Sequence, residues 1–132
     1  MQTDGHVFFE LYVIDLAWYT RLFHGALGMA IAEDDEDFVK LKSPHGTVLL
    51  NAAEALDPSH PFAGFRDVPR RGLGVELGLV LDDLDAAWKR ARALADCTVS
   101  GITVQPWGMR DFRVQTKEGY FLRVTTSDPE ER

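Results

Sequence analysis

The chain has 132 residues, of which 45% are apolar, and these proportions are typical of one soluble domain with a core of its own. It holds 14 Lys and Arg residues against 21 Asp and Glu, for a formal net charge of −7. This acidic balance disfavours nucleic-acid binding and predicts that a charged partner would be a cation. A single cysteine, Cys97, excludes an internal disulfide and a cysteine-rich zinc site.

The N-terminal apolar stretch has no basic segment before it, and Glu10 and Asp15 interrupt it. We therefore expect neither a signal peptide nor a membrane-spanning segment. A lone cysteine is also typical of a reducing compartment, so the sequence predicts a cytoplasmic protein.

The same strand-to-helix pattern occurs twice along the chain. An apolar segment over 7–13 passes through Asp15 into an amphipathic helix that should end at Gly28. A second apolar segment over 73–81 passes through Asp83 into a helix predicted over 84–95. Each aspartate is placed to accept hydrogen bonds from the free N–H groups of the first helical turn.

A hairpin follows each helix, with a glycine in its turn. Gly46 lies between predicted strands over 38–42 and 47–51, and Gly119 lies between strands that cover about 110–125. We expect the two glycines to hold equivalent turn positions.

The repeat predicts a single α+β domain over 1–132, built from two βαβββ modules. The first module covers about 5–52 and the second about 72–127. Residues 53–71, which contain three of the six prolines, form the predicted linker.

Several short motifs resemble the vicinal-oxygen-chelate superfamily of glyoxalases, extradiol dioxygenases, fosfomycin-resistance proteins and bleomycin-binding proteins. They are Val13-Ile14-Asp15-Leu16, Leu27-Gly28-Met29, and the run through Pro106-Trp107-Gly108, Arg110-Asp111-Phe112 and Gly119-Tyr120. The resemblance implies that each module curls its mixed sheet into a cup, that the cups enclose a ligand cavity, and that two chains form a homodimer.

Within that superfamily the chain is most similar to bleomycin-resistance-like proteins. They share an acidic run, here Glu33 to Asp37, and a Gln-Pro-Trp-Gly motif, here starting at Gln105. The final turn departs from their usual Asp-Pro-Asp-Gly, because it reads Thr-Lys-Glu-Gly and ends at Gly119. The resemblance implies a protein that binds a small, antibiotic-like organic molecule that is planar or cationic.

Metal-dependent members carry ligands on the first and last strands of each module. Counting from the junctions and the turn glycines places these positions at Phe8, Leu50 or Asn51, Glu76 and Arg123. Glu76 is the one good cation ligand at the most direct register, so we expect neither metal nor cofactor. A shift of two residues would bring in His6 or Glu10, which leaves open a metal-dependent lyase, isomerase or dioxygenase.

Glu76 and Arg123 hold opposed positions, which predicts an ion pair in the cavity, unless either side chain points to solvent. The indole of Trp107, in its Pro-Trp-Gly loop, is placed to stack on a planar or cationic ligand. Ligand-binding side chains are therefore expected at Phe8, Glu10, Phe38, Glu76, Trp107, Phe112 and Arg123. No catalytic residue is assigned, although a metal-free enzyme with Glu76 as general base is a third hypothesis.

Overall fold

A computed structural model describes residues 3–44, 46–65 and 68–127 of the chain. The chain divides into two compact units, residues 1–67 and 68–132. The boundary lies inside the predicted linker. Among the described residues, none of the helices is long and apolar enough to cross a membrane.

The first unit is one four-stranded sheet with a helix on one face. Its strands, in the sheet order β1-β4-β3-β2, are β1 (Phe8–Val13), β4 (Gly46–Ala52), β3 (Phe38–Ser43) and β2 (Ala30–Asp34). Strand β1 runs parallel to β4, and the other neighbours are antiparallel. The helix α1 starts as an α-helix over Leu16–Thr20 and continues as a π-helix over Arg21–Ala26. Short 3-10 turns follow β4 at Ala53–Ala55 and Ala63–Phe65.

The second unit repeats this plan with small changes. It contains β5 (Glu76–Val80), α2 (Leu84–Arg92), β6 (Cys97–Val99), β7 (Thr103–Val104), β8 (Arg110–Thr116) and β9 (Phe121–Thr125). The sheet order is β5-β9-β8-β6, and β7 also pairs with β8. Strands β5 and β9 are parallel, and β8 is antiparallel to its neighbours. The predicted α+β fold with two mixed sheets is confirmed.

Each unit has its own core between the helix and one face of its sheet. Apolar side chains of alternate strand residues point to that face, as the pleat requires. In the first unit the wholly buried side chains are Val13, Leu22, Phe23, Leu41 and Leu50; in the second they are Leu84, Ala87, Ala91, Phe112, Val114, Leu122 and Val124.

The helix ends follow the sequence signals. Asp15 Oδ1 accepts from the Trp18 N–H at 3.0 Å, and Asp83 Oδ1 accepts from the Ala86 N–H at 3.1 Å, so both predicted N-caps are confirmed. Gly28, after the first helix, has φ +81°, a conformation that glycine adopts at no steric cost. Helix α2 ends at Arg92, earlier than the predicted residue 95.

The two hairpin turns differ in length. Ser43 pairs with Gly46, so the paired positions are three apart in the sequence, and Gly46 is itself the first residue of β4. In the second hairpin the Thr116 N–H donates to the Tyr120 carbonyl, so residues 117–119 separate them, and Gly119 has φ +86°. The expectation that Gly46 and Gly119 hold equivalent positions is therefore wrong.

Residues before β5 pack against this second turn, which makes Gly72 a sensitive position. The Gly72 N–H donates to the Glu118 carbonyl at 3.0 Å, and a Cβ on Gly72 would lie 2.5 Å from the Tyr120 nitrogen. We expect Gly72→Ala to lower the free energy of unfolding by about 1–3 kcal/mol, because backbone must shift to admit the methyl group.

Urea unfolding followed by circular dichroism measures the effect of Gly72→Ala. Gly78→Ala is the matched control, since a Cβ at Gly78 would meet nothing within 4 Å. The close approach would be disproved if the two variants unfolded at the same urea concentration.

Candidate functional site

The second sheet has a face that is turned away from α2, which we call the open face. Because successive strand residues point to opposite sides, the open face takes the residues that alternate with the core. These residues are Glu76, Gly78, Asp111, Arg113, Gln115, Phe121 and Arg123. Glu76 and Arg123 thus share a face.

Glu76 and Arg123 are not partners of each other, so the predicted ion pair between them is wrong. In the β5–β9 register Glu76 lies beside Phe121, and Arg123 lies beside Gly78. The Glu76 carboxylate is bound instead by Nη1 of Arg113, which reaches it from β8. Two separate ion pairs therefore replace the single pair that was expected.

The partner of Arg123 is Asp111, a buried carboxylate on the same face. Arg123 Nε donates to Asp111 Oδ2 at 3.2 Å, and Arg113 Nη2 lies 3.8 Å from the same oxygen. Gln105 Nε2 lies 3.1 Å from both carboxylate oxygens. The Asp111 side chain is 3% exposed, so these contacts supply the hydrogen bonds that a buried carboxylate needs. Glu76, Arg113, Asp111 and Arg123 form a chain of alternating charge, which we call the charged network.

Trp107 stands at one end of the charged network on a short loop. The Gln105 N–H donates to the Met109 carbonyl at 2.8 Å, which closes the loop, and Gly108 has φ +93°. The indole is 57% exposed, and its centroid lies 5.7 Å from Cζ of Arg123. The loop therefore presents an aromatic surface next to a guanidinium.

A cavity of about 340 Å³ opens at the other end of the network. Glu76, Arg113 and Gln115 supply its polar wall, and Phe121, Leu73 and Val75 supply its apolar wall. Cζ of Arg113 lies 5.8 Å from the ring centroid of Phe121. This volume is in the range of sites that hold small organic molecules, and so is the mixture of apolar surface with a few polar groups.

Phe112, which the sequence analysis placed among the ligand-binding residues, is on the opposite side of the sheet. Its ring is fully buried in the core of the second unit. Since Phe112 follows Asp111 directly, the pleat turns the two side chains to opposite faces. The structure therefore corrects the assignment of Phe112 and puts the aromatic surface of the cavity at Phe121.

The first unit also has a face turned away from its helix, and it carries the other three predicted residues. Phe8, Glu10 and Phe38 lie on this face, with Phe8 54% exposed. Glu10 Oε1 accepts a hydrogen bond of 3.3 Å from Asn51 Nδ2. The prediction of ligand contacts at these three residues stays a prediction.

Next to Glu10, three rings form a cluster that the sequence analysis did not find. The centroids of Tyr12, His60 and Phe62 lie 5.2–5.4 Å apart. His60 Nδ1 accepts from the Phe62 N–H at 3.0 Å, and its Nε2 lies 3.4 Å from the Tyr12 hydroxyl. Burial and the Glu10 carboxylate raise the pKa of the Tyr12 phenol. Because His60 lies far along the chain from β1, no local pattern could have revealed the cluster.

Cys97 is a half-buried residue of β6. Burial, together with the neighbouring Asp96 carboxylate, raises the pKa of its thiol. The thiolate fraction at neutral pH is therefore lower than that of a free cysteine.

The four positions at which the resemblance places metal ligands lie on the first and last strands of the two sheets. Arg123 pairs with Gly78, two residues after Glu76. The residue two after Phe8 is Glu10, which pairs with Leu49. Leu49 is thus the first-unit counterpart of Arg123, and the expectation of Leu50 or Asn51 is corrected; Leu50 is wholly buried in the core.

These four positions do not fit a divalent metal. They hold Phe8, Leu49, Glu76 and Arg123. Phe8 and Leu49 have no ligand atoms, the Glu76 carboxylate is already bound by Arg113, and Arg123 is a permanent cation. In the part of the chain that the structure describes, no three His, Cys, Asp or Glu side chains come together as a ligand group.

Residues 5–124 match the family described as the glyoxalase/bleomycin resistance protein/dioxygenase superfamily. Similar solved structures include a family enzyme from Burkholderia phytofirmans PsJN, with 16% identity over 92% of this chain and 98% of that one and a TM-score of 0.73. A hypothetical protein, SA1046 from S. aureus, has 18% identity over 96% of each chain and a TM-score of 0.70.

A bleomycin resistance determinant encoded on the transposon Tn5 is also similar, with 18% identity over 94% of this chain and 98% of that one and a TM-score of 0.60. At such identities the likeness concerns the fold. No curated protein matches the sequence.

Proposed function

Because the chain belongs to the glyoxalase/bleomycin resistance protein/dioxygenase superfamily, we propose that it binds a small organic molecule on the open face of its second sheet, without a resident metal. The observation that carries the proposal is the cavity beside Glu76, where polar and apolar walls converge. Binding rather than catalysis is the proposed activity, since the carboxylate best placed to act as a base is held by Arg113. The similarity to a resistance determinant supports the same choice.

The proposed ligand is planar and antibiotic-like. A flat ring system would lie against Phe121, Leu73 and Val75, which offer apolar surface without hydrogen-bonding demand. Glu76 is half-exposed, and its Oε2 has no hydrogen-bond partner among the described residues, so it can accept from a cationic group on the ligand's edge.

We also propose that a second copy of the chain completes the site in a homodimer. Large apolar side chains are exposed in both units, among them Phe8, Phe9, Leu73 and Val75. Covering them with a second copy would remove apolar surface from water. Light scattering coupled to size exclusion should give twice the mass of the chain, and a monomer at micromolar concentration would refute the dimer.

A thermal-shift panel tests the binding proposal with planar cations, planar neutral compounds and planar anions. A ligand that binds only the folded state stabilises it by about 2.7 kcal/mol at 100 times its Kd, so the Tm should rise with ligand concentration. Phe121→Ala should abolish the shift. Arg92→Gln, a change on the exposed side of α2, should leave it intact.

Elemental analysis of the purified protein separates the proposal from the metal-dependent alternative. We expect no stoichiometric divalent ion, because Arg123 places a positive charge at one of the four positions. One equivalent of a divalent metal per chain, retained through dialysis, would refute metal-independent binding.

A further inference from the structure

The guanidinium of Arg123 uses only one edge in the folded protein. Its Nε donates to Asp111, but Nη1 and Nη2 have no hydrogen-bond partner among the described residues. Arginine carries five N–H donors in a planar fork, so four of them remain available. With a side chain that is 28% exposed, this free edge is accessible from the open face.

Two neighbours fix the direction of that free edge. Asp111, itself buried and bound by Gln105, anchors the Nε side. Cζ of Arg123 also lies over the ring of Trp107, 5.7 Å from its centroid. An arginine held in this way loses little conformational entropy when a ligand binds, and its planar fork matches the two oxygens of a carboxylate.

We propose that Nη1 and Nη2 of Arg123, beside Trp107, form a subsite for an oxyanion carried by the ligand, with a planar carboxylate as the preferred class. This inference rests on the proposed function, since the subsite lies on the same open face as the cavity. Arg113 lines the cavity and is the Cα partner of Arg123 across β8 and β9. A ring system in the cavity would therefore lie against Arg113, with Arg123 beside it on the neighbouring strand.

The charges around the subsite agree with this class of ligand. Asp111 is buried and shared between two arginines, while Glu76 is bound by Arg113. Of the charged network, the groups next to Trp107 that reach solvent are therefore N–H donors of Arg123. The negative net charge of the whole chain therefore does not predict the local charge beside Trp107.

Binding of 2-naphthoate and of 2-naphthylmethanol tests the subsite, because the two probes share a ring system and differ in the carboxylate. Titrations followed by isothermal calorimetry give the two Kd values, and ¹H–¹⁵N spectra report the Arg123 Nε–H and Trp107 Nε1–H signals. We expect 2-naphthoate to bind about 10- to 100-fold more tightly and to move both signals.

Arg123→Gln should bring the naphthoate affinity down to that of the alcohol. Arg123→Lys keeps the charge without the fork and should retain part of the preference. Arg92→Gln is the matched control, because Arg92 also lies over an indole, at 4.4 Å from the Trp88 ring, but outside the site. Trp107→Leu, which leaves the Arg123–Asp111 bond in place, provides a second variant if Arg123→Gln does not fold.

The outcomes distinguish the subsite from the proposed function. Equal affinities for the two probes, or an unchanged naphthoate Kd in both Arg123→Gln and Trp107→Leu, would overturn the oxyanion subsite while leaving small-molecule binding intact. Failure of both probes to bind the wild-type protein would overturn both proposals.

Discussion

Replacing Phe112 with alanine is expected to lower the free energy of unfolding by about 3–5 kcal/mol. The ring is 0% exposed in the core of the second unit, so its removal loses apolar burial and leaves a cavity that the rigid sheet closes only in part. Urea denaturation followed by circular dichroism gives the value.

Phe121→Ala is the comparison for Phe112→Ala, since the two phenylalanines occupy neighbouring strands but opposite faces of the sheet. Phe121 is half-buried and lines the cavity, so we expect a loss of about 1 kcal/mol in stability together with loss of ligand binding. If Phe112→Ala weakened ligand binding and left the unfolding midpoint unchanged, the Phe112 side chain would lie on the open face and not in the core.

Asp111→Ala is expected to lower the free energy of unfolding by about 2–3 kcal/mol. The substitution removes a carboxylate that is 3% exposed and leaves Gln105 and the Nε of Arg123 without their acceptor. The penalty stays below that of a fully buried pair because both arginines reach solvent and can be hydrated in part.

Asp85→Ala serves as the matched control for Asp111→Ala. Asp85 also binds an arginine, Arg110, at 3.2 Å, but this pair is exposed to solvent. Surface ion pairs contribute little, so we expect the unfolding midpoint of Asp85→Ala to stay close to that of the wild type. Equal losses in the two variants would contradict a buried anchoring role for Asp111.

The alternation of faces along each strand could be predicted from the sequence because the side-chain period of a strand is two residues, although Phe112 was assigned to the wrong face. Glu76 and Arg123 were placed together by the ligand positions that the family resemblance implies, whereas the two-residue period held a signal for Asp111 and Arg113, which alternate with Phe112 and Val114 along β8. The charged network was therefore partly visible in the sequence. Its pairing was not, because the register of β5 on β9 depends on contacts between strands distant in the chain.

The residue of the first module that corresponds to Arg123 was missed because the two hairpin turns differ in length. Counting forward from Gly46 and Gly119 assumes turns of equal length, and the second turn is longer by one residue. An error of one residue inverts the face of every position in a strand, so one of the two expected residues, Leu50, is in the core. The other, Asn51, shares a face with Leu49 but lies two residues further along β4.

Single substitutions of Gly78, in the second module, are expected to change which ligands can reach Arg123. It lies directly beside Arg123 on the open face, and a Cβ built there would meet nothing within 4 Å. A larger side chain would narrow the approach to Arg123 without disturbing Leu77 or the rest of the core. A single substitution at Gly78 is thus expected to change access to Arg123 while the folding free energy stays nearly constant.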